Sequence, residues 1–317
     1  MGMTLADLAM LEERKLRRGV LANVAKASPV FSRIPWETGS GLNVTIVEVA
    51  SLPAIHHRLI GGSATETKGR VSQRVFGMKI ISDKITTDRQ LLDEPNLIQD
   101  PRALEVDLYT KSLAYEGTYY FINGDAATTP EEPSGLSWYF TNDPRLANQD
   151  INAGGLDVDA NDAAMHTFLD YIHDALSRLD GGEADLIVCN RQTLLKMQSI
   201  FRRQKLMDVT KDQFDRRVDT FMGIPVVDAG VRAAGARLRD ETNYSIISKA
   251  SGKNEIYFIR FGPQYVTGIQ KKPLEVKYLG ESNATPESVL TFIEWAYNPC
   301  CIMNPYGVAR IRNLDTT

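Results

Sequence analysis

Features typical of membrane proteins and nucleotide-binding enzymes are missing from this chain of 317 residues. No apolar run reaches the ~18 residues that a membrane-spanning helix needs. The chain does not open with a basic segment followed by an apolar core, which a secretion signal would require. Neither a Walker loop nor a GxGxxG motif after a predicted strand occurs. We therefore expect a protein that is cytosolic when it is made.

Residues that supply reactive groups are few. The chain has 4 histidines and 3 cysteines, and its formal net charge is −4. A dedicated nucleic-acid reader is usually basic overall, so the charge disfavours that class. The cysteines are Cys189, Cys300 and Cys301, an odd number with two adjacent. This pattern predicts reduced, buried thiols instead of a disulfide framework.

One acidic run has the opening of a calcium-binding loop. Asp157, Asp159 and Asn161 have the spacing of its first ligands. However, the sixth position holds Asp162 instead of glycine, and the twelfth holds Phe168 instead of glutamate. The sequence therefore argues against calcium binding there.

A second candidate metal site lies on a predicted helix. His166, Asp170 and His173 share one face at spacings of four and three, which could hold a metal. That face points away from the apolar stripe that contains Phe168 and Ile172. We therefore predict a solvated surface there.

The remaining candidate motifs are weak. His56 and His57 are consecutive and would point to opposite faces of a strand, so they are poor co-ligands. The segment GGSAT at 61–65 lacks the final glycine of a nucleophile elbow and falls at a predicted hairpin tip. We predict no catalytic, cofactor-binding or metal-binding residue, and no enzyme.

The firmest structural prediction is a long helix over residues 101–122. Asp100 can cap its first turn, a proline follows at the first helical position, and Gly124 supplies the stop. About 22 residues at ~1.5 Å each give a rod of roughly 33 Å. Leu104 and Leu108 begin one apolar face.

Two patterned segments precede this helix. Residues 1–41 are predicted to form an N-terminal arm, with an amphipathic helix at Thr4–Arg18 and an extended, proline- and glycine-punctuated part at 19–41 that lies outside any core. Residues 42–85 alternate apolar and polar residues around a polar, glycine-rich tip at Gly61, Gly62 and Gly69, which predicts a long two-stranded hairpin. Because an isolated two-stranded ribbon is marginally stable, we expect a partner subunit to cover it.

The second half of the chain predicts an α/β layer followed by strand pairs. The predicted elements are a helix at 162–179, a buried strand at 184–190 followed by a helix from Arg191, a buried strand at 221–230, a hairpin that turns at Ser251 and Gly252, a strand pair joined through 283–286, and a final strand at 307–314.

This order of elements resembles the major capsid protein family of tailed bacteriophages, whose fold is shared by encapsulins and by the floor domain of herpesvirus capsids. The segments that carry the resemblance are ADLIVCN followed by a helix, MGIPVV, and FGPQYVTGIQ before a long strand. The resemblance covers roughly Gly41 to the C-terminus. It implies an α+β tailed-phage capsid fold with an N-terminal arm, an extended β-hairpin loop, a spine-helix peripheral domain and an α/β axial domain.

The resemblance also implies where the domains divide. The divisions are the N-terminal arm at 1–41, the extended loop at 42–85, the peripheral domain at 86–180 with its spine helix at 101–122, the axial domain at 181–264, long strands returning to the peripheral domain at 265–300, and the C-terminal strand of the axial domain at 301–317. Relatives with a fused scaffolding segment begin with an extra domain, so a separate, absent or removed scaffold is expected here.

The function implied by the resemblance is that of a major capsid protein. Such a protein self-assembles through hexamers and pentamers into an icosahedral phage head that encloses double-stranded DNA. Its partners would be itself, the portal, scaffolding and decoration proteins, and DNA held by non-specific contact, with no membrane and no cofactor. It would reside in the virion, and in the host cytoplasm during assembly.

Two alternatives stay open. The first is an encapsulin-type compartment shell, and the second is a soluble α/β metal-dependent enzyme or binding protein that uses the face with His166 and His173. Some relatives of the capsid family cross-link neighbours between a lysine and an asparagine. Lys68 and Asn283, with Glu287 nearby, occupy comparable positions, although we expect non-covalent contacts to prevail.

Overall fold

The computed structural model describes residues 27–92, 101–203, 207–211, 217–232, 245–281 and 288–316. Its strands are β1 (Trp36–Thr38), β2 (Asn43–Ser51), β3 (Arg70–Gly77), β4 (Lys79–Asp88), β5 (Asp150–Asp157), β6 (Leu186–Cys189), β7 (Met207–Lys211), β8 (Arg217–Phe221), β9 (Ile224–Asp228), β10 (Asn254–Ile259), β11 (Val266–Gln270), β12 (Glu275–Glu281), β13 (Ser288–Ile302) and β14 (Val308–Asp315). Its α-helices are α1 (Arg89–Leu92), α2 (Pro101–Asn123), α3 (Leu136–Asn142), α4 (Asp162–Ser177) and α5 (Arg191–Arg203).

A five-stranded sheet is built around the long strand β13. Strands β4, β11 and β12 all pair with β13 in antiparallel register, and β1 joins β11 in parallel. The antiparallel pairing of β12 with β13 confirms the strand pair that the sequence predicts there. Ile293, Trp295 and Tyr297 alternate along β13 and are buried in the core that α2 covers. This alternation is that of a sheet with one face on the core.

A seven-stranded sheet forms the second layer, in the order β5-β14-β10-β6-β9-β8-β7. Strands β6 and β9 are parallel neighbours, as the predicted strand-helix-strand layer requires. Helices α4 and α5 pack on one side of this sheet in a cluster that includes Phe168, Ile172, Ile200 and Phe201. The fold is therefore of the α+β class that the sequence predicts.

Helix α2 begins at Pro101 and ends at Asn123, which confirms the predicted long helix. Its N-cap candidate, Asp100, lies outside the described residues. The buried stripe runs through Val106, Leu113 and Phe121, whereas Leu104 and Leu108 stay 41% and 52% exposed. Among the described helices, none combines the length and apolar character needed to cross a bilayer.

The prediction that residues 19–41 lie outside any core was wrong for the part that the structure describes. Phe31 and Trp36 are buried, and the Trp36 ring lies 4.7 Å from that of Trp295. The Phe31 ring is buried because it lies directly against Gly117 of α2. Any side chain at position 117 would collide with this ring. The earlier residues, including the predicted helix at Thr4–Arg18, lie outside the described residues.

The predicted hairpin at 42–85 is shorter than expected. Its second strand ends at Gly77, and the following strand, β4, leaves the hairpin to pair with β13. In the sequence the apolar alternation continues across this switch of partner through Met78 and Ile80, but in the structure Met78 is buried whereas Ile80 is exposed. Sequence periodicity alone could not locate the switch, because both strands have the same two-residue period.

Two predictions in the second half were also wrong. The hairpin that turns at Ser251 and Gly252 is not formed, because β10 pairs with β6 and β14. The predicted strand at 221–230 is divided by a turn at Met222 and Gly223, both with positive φ, so that β8 ends at Phe221 and β9 begins after the turn. Paired positive-φ residues are typical of tight hairpin turns.

We predict that Gly117→Val lowers the free energy of unfolding by about 2–3 kcal/mol, because a Cβ atom at this position would lie 2.7 Å from Cε2 of Phe31. Urea unfolding of the unassembled chain measures the change. The control Ala103→Val places the same side chain on an exposed position of α2 and should cost only its helix propensity, about 0.6 kcal/mol. Equal losses in the two variants would contradict the proposed packing.

Candidate assembly surface

Strands β2 and β3 form a two-stranded ribbon that belongs to neither large sheet. The antiparallel register runs from Asn43 opposite Gly77 to Ser51 opposite Arg70. Within the described parts of the chain, no third strand pairs with either edge. We call residues 43–77 the ribbon and residues 52–69 its tip. A ribbon of this kind needs packing partners for its stability.

The tip exposes large apolar side chains, so the prediction of a polar tip was wrong. Leu52, Ile55 and Leu59 are 82%, 88% and 86% exposed, and Ile60 is fully exposed. The tip still has local order, since the N–H of Gly62 donates to the carbonyl oxygen of Leu59 at 3.0 Å. Contiguous exposed apolar residues of this size mark an interaction site.

The paired part of the ribbon has two different faces. Val44, Ile46 and Phe76 pack against the core. Val47 and Val75, on the opposite face, are exposed. The ribbon therefore has an apolar outward face that no described part of its own chain covers.

The tip is also cationic. It has two cations, Arg58 and Lys68, against a single carboxylate, Glu66, which forms an exposed ion pair with Lys68 at 2.8 Å. His56 and His57 also lie on it. The two histidines are exposed and do not lie in a strand, contrary to the sequence-based expectation. A surface that receives this tip is expected to be apolar with acidic groups nearby.

Such a surface occurs on the N-terminal half of α2. Leu104 and Leu108 are exposed there and lie beside Glu105 and Asp107. Asp107 forms an ion pair with Lys111 at 2.6 Å, and Glu105 accepts a hydrogen bond from Thr87 at 2.5 Å. We call residues 104–108 the helix ridge. Its apolar and acidic character complements that of the tip.

Four charged side chains join the ribbon to the body. Arg74 of the ribbon contacts Asp143 at 2.7 Å, and Glu48 of the ribbon contacts Arg145 at 2.6 Å. Arg145 also contacts Asp143, at 2.8 Å. We call Glu48, Arg74, Asp143 and Arg145 the base cluster. Sequence analysis missed it, although Asp143 before a proline is a typical signal for a capping residue, and Asp143 indeed accepts from the N–H of Arg145.

The pKa of Glu48 is raised above its usual value. Desolvation by burial is the largest cause; Arg74 opposes it and Asp143 adds to it. The ionised carboxylate of Glu48 is therefore held in the base cluster at a free-energy cost. The side chain of Asp143 is almost fully buried and faces two guanidinium groups, so it is the centre of the cluster.

The histidine candidates lie on α4, which packs on the seven-stranded sheet. His166, Asp170 and His173 are exposed on α4, as predicted for a solvated surface. In the described part of the chain, no group of three or more histidine, cysteine, aspartate or glutamate side chains could hold a metal ion. The ring of His173 lies 6.0 Å from that of Phe221, which gives it an aromatic neighbour.

The residues of the calcium-like run have other structural contacts. Asp159 forms an ion pair with Lys196 at 2.7 Å. Asn161 caps α4 by accepting from the N–H of Ala164 at 2.8 Å. Asp159 and Asn161 therefore have structural roles, and the run lacks the glycine and the glutamate that a calcium loop requires.

The three cysteines are free and fully buried, which confirms the prediction of buried thiols. Burial raises the pKa of Cys189, Cys300 and Cys301 well above that of an exposed thiol. Because the thiolate is the reactive form, these positions are unsuited to nucleophilic chemistry.

No protein-family model matches this chain, and no curated protein matches it. Solved structures do match. The holo-SrpI encapsulin complex from Synechococcus elongatus gives a TM-score of 0.65 at 12% identity and covers 92% of this chain and 89% of that chain. The capsid of the native GTA particle gives 0.61 at 16% identity, with 88% and 87% covered. Mycobacterium phage Bobi gives 0.59 at 13% identity, with 99% of both chains covered.

We predict that Asp143→Asn lowers the free energy of unfolding by about 3 kcal/mol, because it leaves two partly buried guanidinium groups without their shared carboxylate. Thermal or urea unfolding of the unassembled chain measures the loss. The control Glu66→Gln removes the exposed ion pair at the tip and should cost less than about 0.5 kcal/mol. If Asp143→Asn were as mild as this control, the base cluster would not hold the ribbon.

Proposed function

We propose that this chain, which has the α+β fold shared by tailed-phage capsid proteins and encapsulins, is the structural subunit of a closed protein shell. In its specific form the proposal is a major capsid protein that assembles through hexamers and pentamers into an icosahedral phage head enclosing double-stranded DNA. The observation that carries the proposal is the exposed apolar tip of the ribbon.

The magnitude of this exposure favours assembly. Burying the four apolar tip side chains would yield on the order of 6–12 kcal/mol, at about 1.5–3 kcal/mol each. Association of two proteins costs an estimated 4–15 kcal/mol in lost freedom of motion. A single contact of this kind is therefore marginal, whereas closure of a ring adds a second contact to every subunit.

The acceptor of the tip is the helix ridge of a neighbouring copy, together with the adjoining five-stranded sheet. The cationic tip and the acidic ridge are different surfaces of the same chain, so the contact is heterologous. Heterologous contacts generate rings when the rotation closes. This geometry suits the hexamers and pentamers of a shell.

The proposal assigns each part of the chain to a domain of the capsid fold. The ribbon is the extended loop, which ends before 85 because β4 joins the five-stranded sheet. Helix α2 with the five-stranded sheet is the peripheral domain. The seven-stranded sheet is the axial domain, and it also includes β5 and α4 from before residue 181. Residues 265–300 return to the peripheral domain. The C-terminal strand at 301–317 belongs to the axial domain, and this is supported by the place of β14 beside β10 in the seven-stranded sheet.

The proposed partners follow from the specific form of the proposal. A head that packages DNA needs a portal, and scaffolding and decoration proteins are expected to attach to the shell. Since the net charge of the chain is −4, its contact with DNA is expected to be non-specific and confined to local basic groups. The virion is the proposed location, with assembly in the host cytoplasm and no enzymatic activity.

Neighbouring subunits are proposed to be held by non-covalent contacts. Lys68 is exposed and paired with Glu66 within its own chain. Its suggested cross-linking partners, Asn283 and Glu287, lie outside the described residues. An isopeptide bond would also require a buried carboxylate to accept the lysine proton.

The second candidate is an encapsulin-type compartment, since an encapsulin gives a TM-score of 0.65 to this chain. The two candidates differ in what the shell encloses. Nuclease-protected double-stranded DNA in particles from the native source supports the phage head. A packaged protein cargo without such DNA supports the compartment.

We predict that deleting residues 51–75 leaves a folded chain that forms no shells, because the deletion removes the tip and spares both sheets. Negative-stain electron microscopy of the purified variant is the measurement. The double variant Ile55→Asp and Leu59→Asp is also expected to form no shells, because burying either side chain in a contact would then remove a carboxylate from water.

The matched control for these variants is Ser63→Ala with Thr65→Ala, which changes exposed polar residues of the same tip. This control should form normal shells. Normal shells from the deletion variant would overturn the proposed role of the ribbon.

A further inference from the structure

The five-stranded sheet has a second face, on the side opposite α2. Ile293 and Trp295 of β13 are buried in the core that α2 covers. The residues that alternate with them are less buried, and they are Leu290, Phe292, Glu294 and Ala296. Residues directly opposite each other in an antiparallel pair lie on the same side of a sheet. The register therefore adds Ile80 and Lys84 of β4 and Lys277 of β12 to this side, which we call the outer face.

Part of the outer face is apolar and open to solvent. Ile80 is 54% exposed, and Leu42 is 44% exposed. Both line a groove of about 290 Å³ whose floor includes Ala296. Phe292 is half-buried, and the register places it between Lys84 and Lys277. The apolar side chains of the outer face are therefore adjacent to one another and to cations.

Lysines line the same groove. Lys271 and Lys272 follow the end of β11, and the N–H of Lys271 donates to the carbonyl oxygen of Ala296 at 3.0 Å, which fixes this segment on β13. Lys277 lines the groove as well and pairs with Glu275 at 3.2 Å. Within the described ranges of the chain, no ion pair engages Lys271 or Lys272. These two ammonium groups are available to a partner.

The charge of the outer face is opposite in sign to that of the whole chain. Its carboxylates are Glu275 and Glu294, and its lysines are Lys84, Lys271, Lys272 and Lys277. The formal net charge of the chain is −4, so this excess of lysine is local. Exposed apolar groups bordered by cations are complementary to a surface that combines apolar groups with carboxylates.

We propose that the outer face is a docking surface for an acidic polypeptide segment with apolar side chains, supplied by a protein other than this chain. Carboxylates of the segment contact Lys271 and Lys272, and its apolar side chains cover Leu42 and Ile80. The docking surface belongs to a single chain, so it does not depend on the proposed shell function.

The surfaces already described on this chain are poor occupants of the outer face. The tip of another copy is itself cationic, so the lysines would repel it. The helix ridge lies on the other side of the sheet, where Glu105 accepts from Thr87 and Asp107 pairs with Lys111. Its carboxylates are therefore already engaged within the chain.

A nucleic-acid duplex also fits the outer face less well than an acidic polypeptide. Contacts to a duplex are made mainly to phosphate oxygens. Glu294 is exposed among the lysines and would repel phosphates, and Leu42 and Ile80 would gain nothing from them. The mixture of apolar and charged groups therefore favours a polypeptide.

The test is fluorescence anisotropy of labelled probes titrated with the full-length protein. The probes are a random copolymer of glutamate and tyrosine, polyglutamate of equal length, and a DNA duplex. We expect the copolymer to bind about tenfold more tightly than polyglutamate, because its tyrosines bury Leu42 and Ile80. A duplex that bound as tightly as the copolymer would overturn the proposal, as would equal binding of the two polypeptides.

Substitutions locate the binding on the outer face. Lys271→Glu with Lys272→Glu should weaken binding of both polypeptides at least about tenfold, since each attractive contact becomes repulsive. Ile80→Ser, at an exposed position, should weaken the copolymer and leave polyglutamate unchanged. The matched control is Arg202→Glu with Arg203→Glu, an adjacent exposed pair on α5, which should leave both affinities unchanged.

Equal losses in the lysine and arginine variants would overturn the proposal, because the binding would then follow net charge alone. Negative-stain microscopy of the lysine variant separates a foreign partner from another copy. Wild-type particles are expected in that variant. Loss of particles would overturn the proposal by assigning the outer face to a contact between copies.

Discussion

The structure depends on one constraint, which is that the ribbon has more apolar surface than the described parts of its own chain cover. Its base packs on the core through Val44, Ile46 and Phe76, whereas Leu52, Ile55 and the residues that follow on the tip project into solvent. In water, this surface is unfavourable by an amount comparable to the stability of a typical domain. Under the proposed function, other copies of the chain cover this surface.

The rest of the chain provides a rigid support for the ribbon. Strand β13 pairs with three other strands along its two edges, and α2 covers its buried face. The five-stranded sheet is therefore held together around β13. Asn298 of β13 ties this sheet to Gly77 at the foot of the ribbon. The base cluster and the packing of Val44, Ile46 and Phe76 on the core then hold the ribbon against the body. Direction matters because a ring closes only if every subunit projects its ribbon at the same angle.

Much of the fold could be predicted from local signals in the sequence. The ends of α2 follow from a proline at the start and Asn123–Gly124 at the end, and the parallel pair β6 and β9 follows from two apolar runs around a helix. The partners of β4 and β10 could not be predicted, because strand pairing is non-local and periodicity does not say which strand is adjacent. The burial of Phe31 depends on the missing side chain of Gly117, about ninety positions away. The base cluster is equally non-local. The position of the tip was predictable from its glycines, whereas its exposed apolar side chains were not.

The central claim is that copies of this chain complete one another, and high-resolution single-particle electron microscopy of the purified protein tests it most directly. The account predicts closed particles in which Ile55 and Leu59 of each subunit are buried against α2 and the five-stranded sheet of the next subunit. A compact, solitary particle with the tip folded back onto its own body would contradict the account.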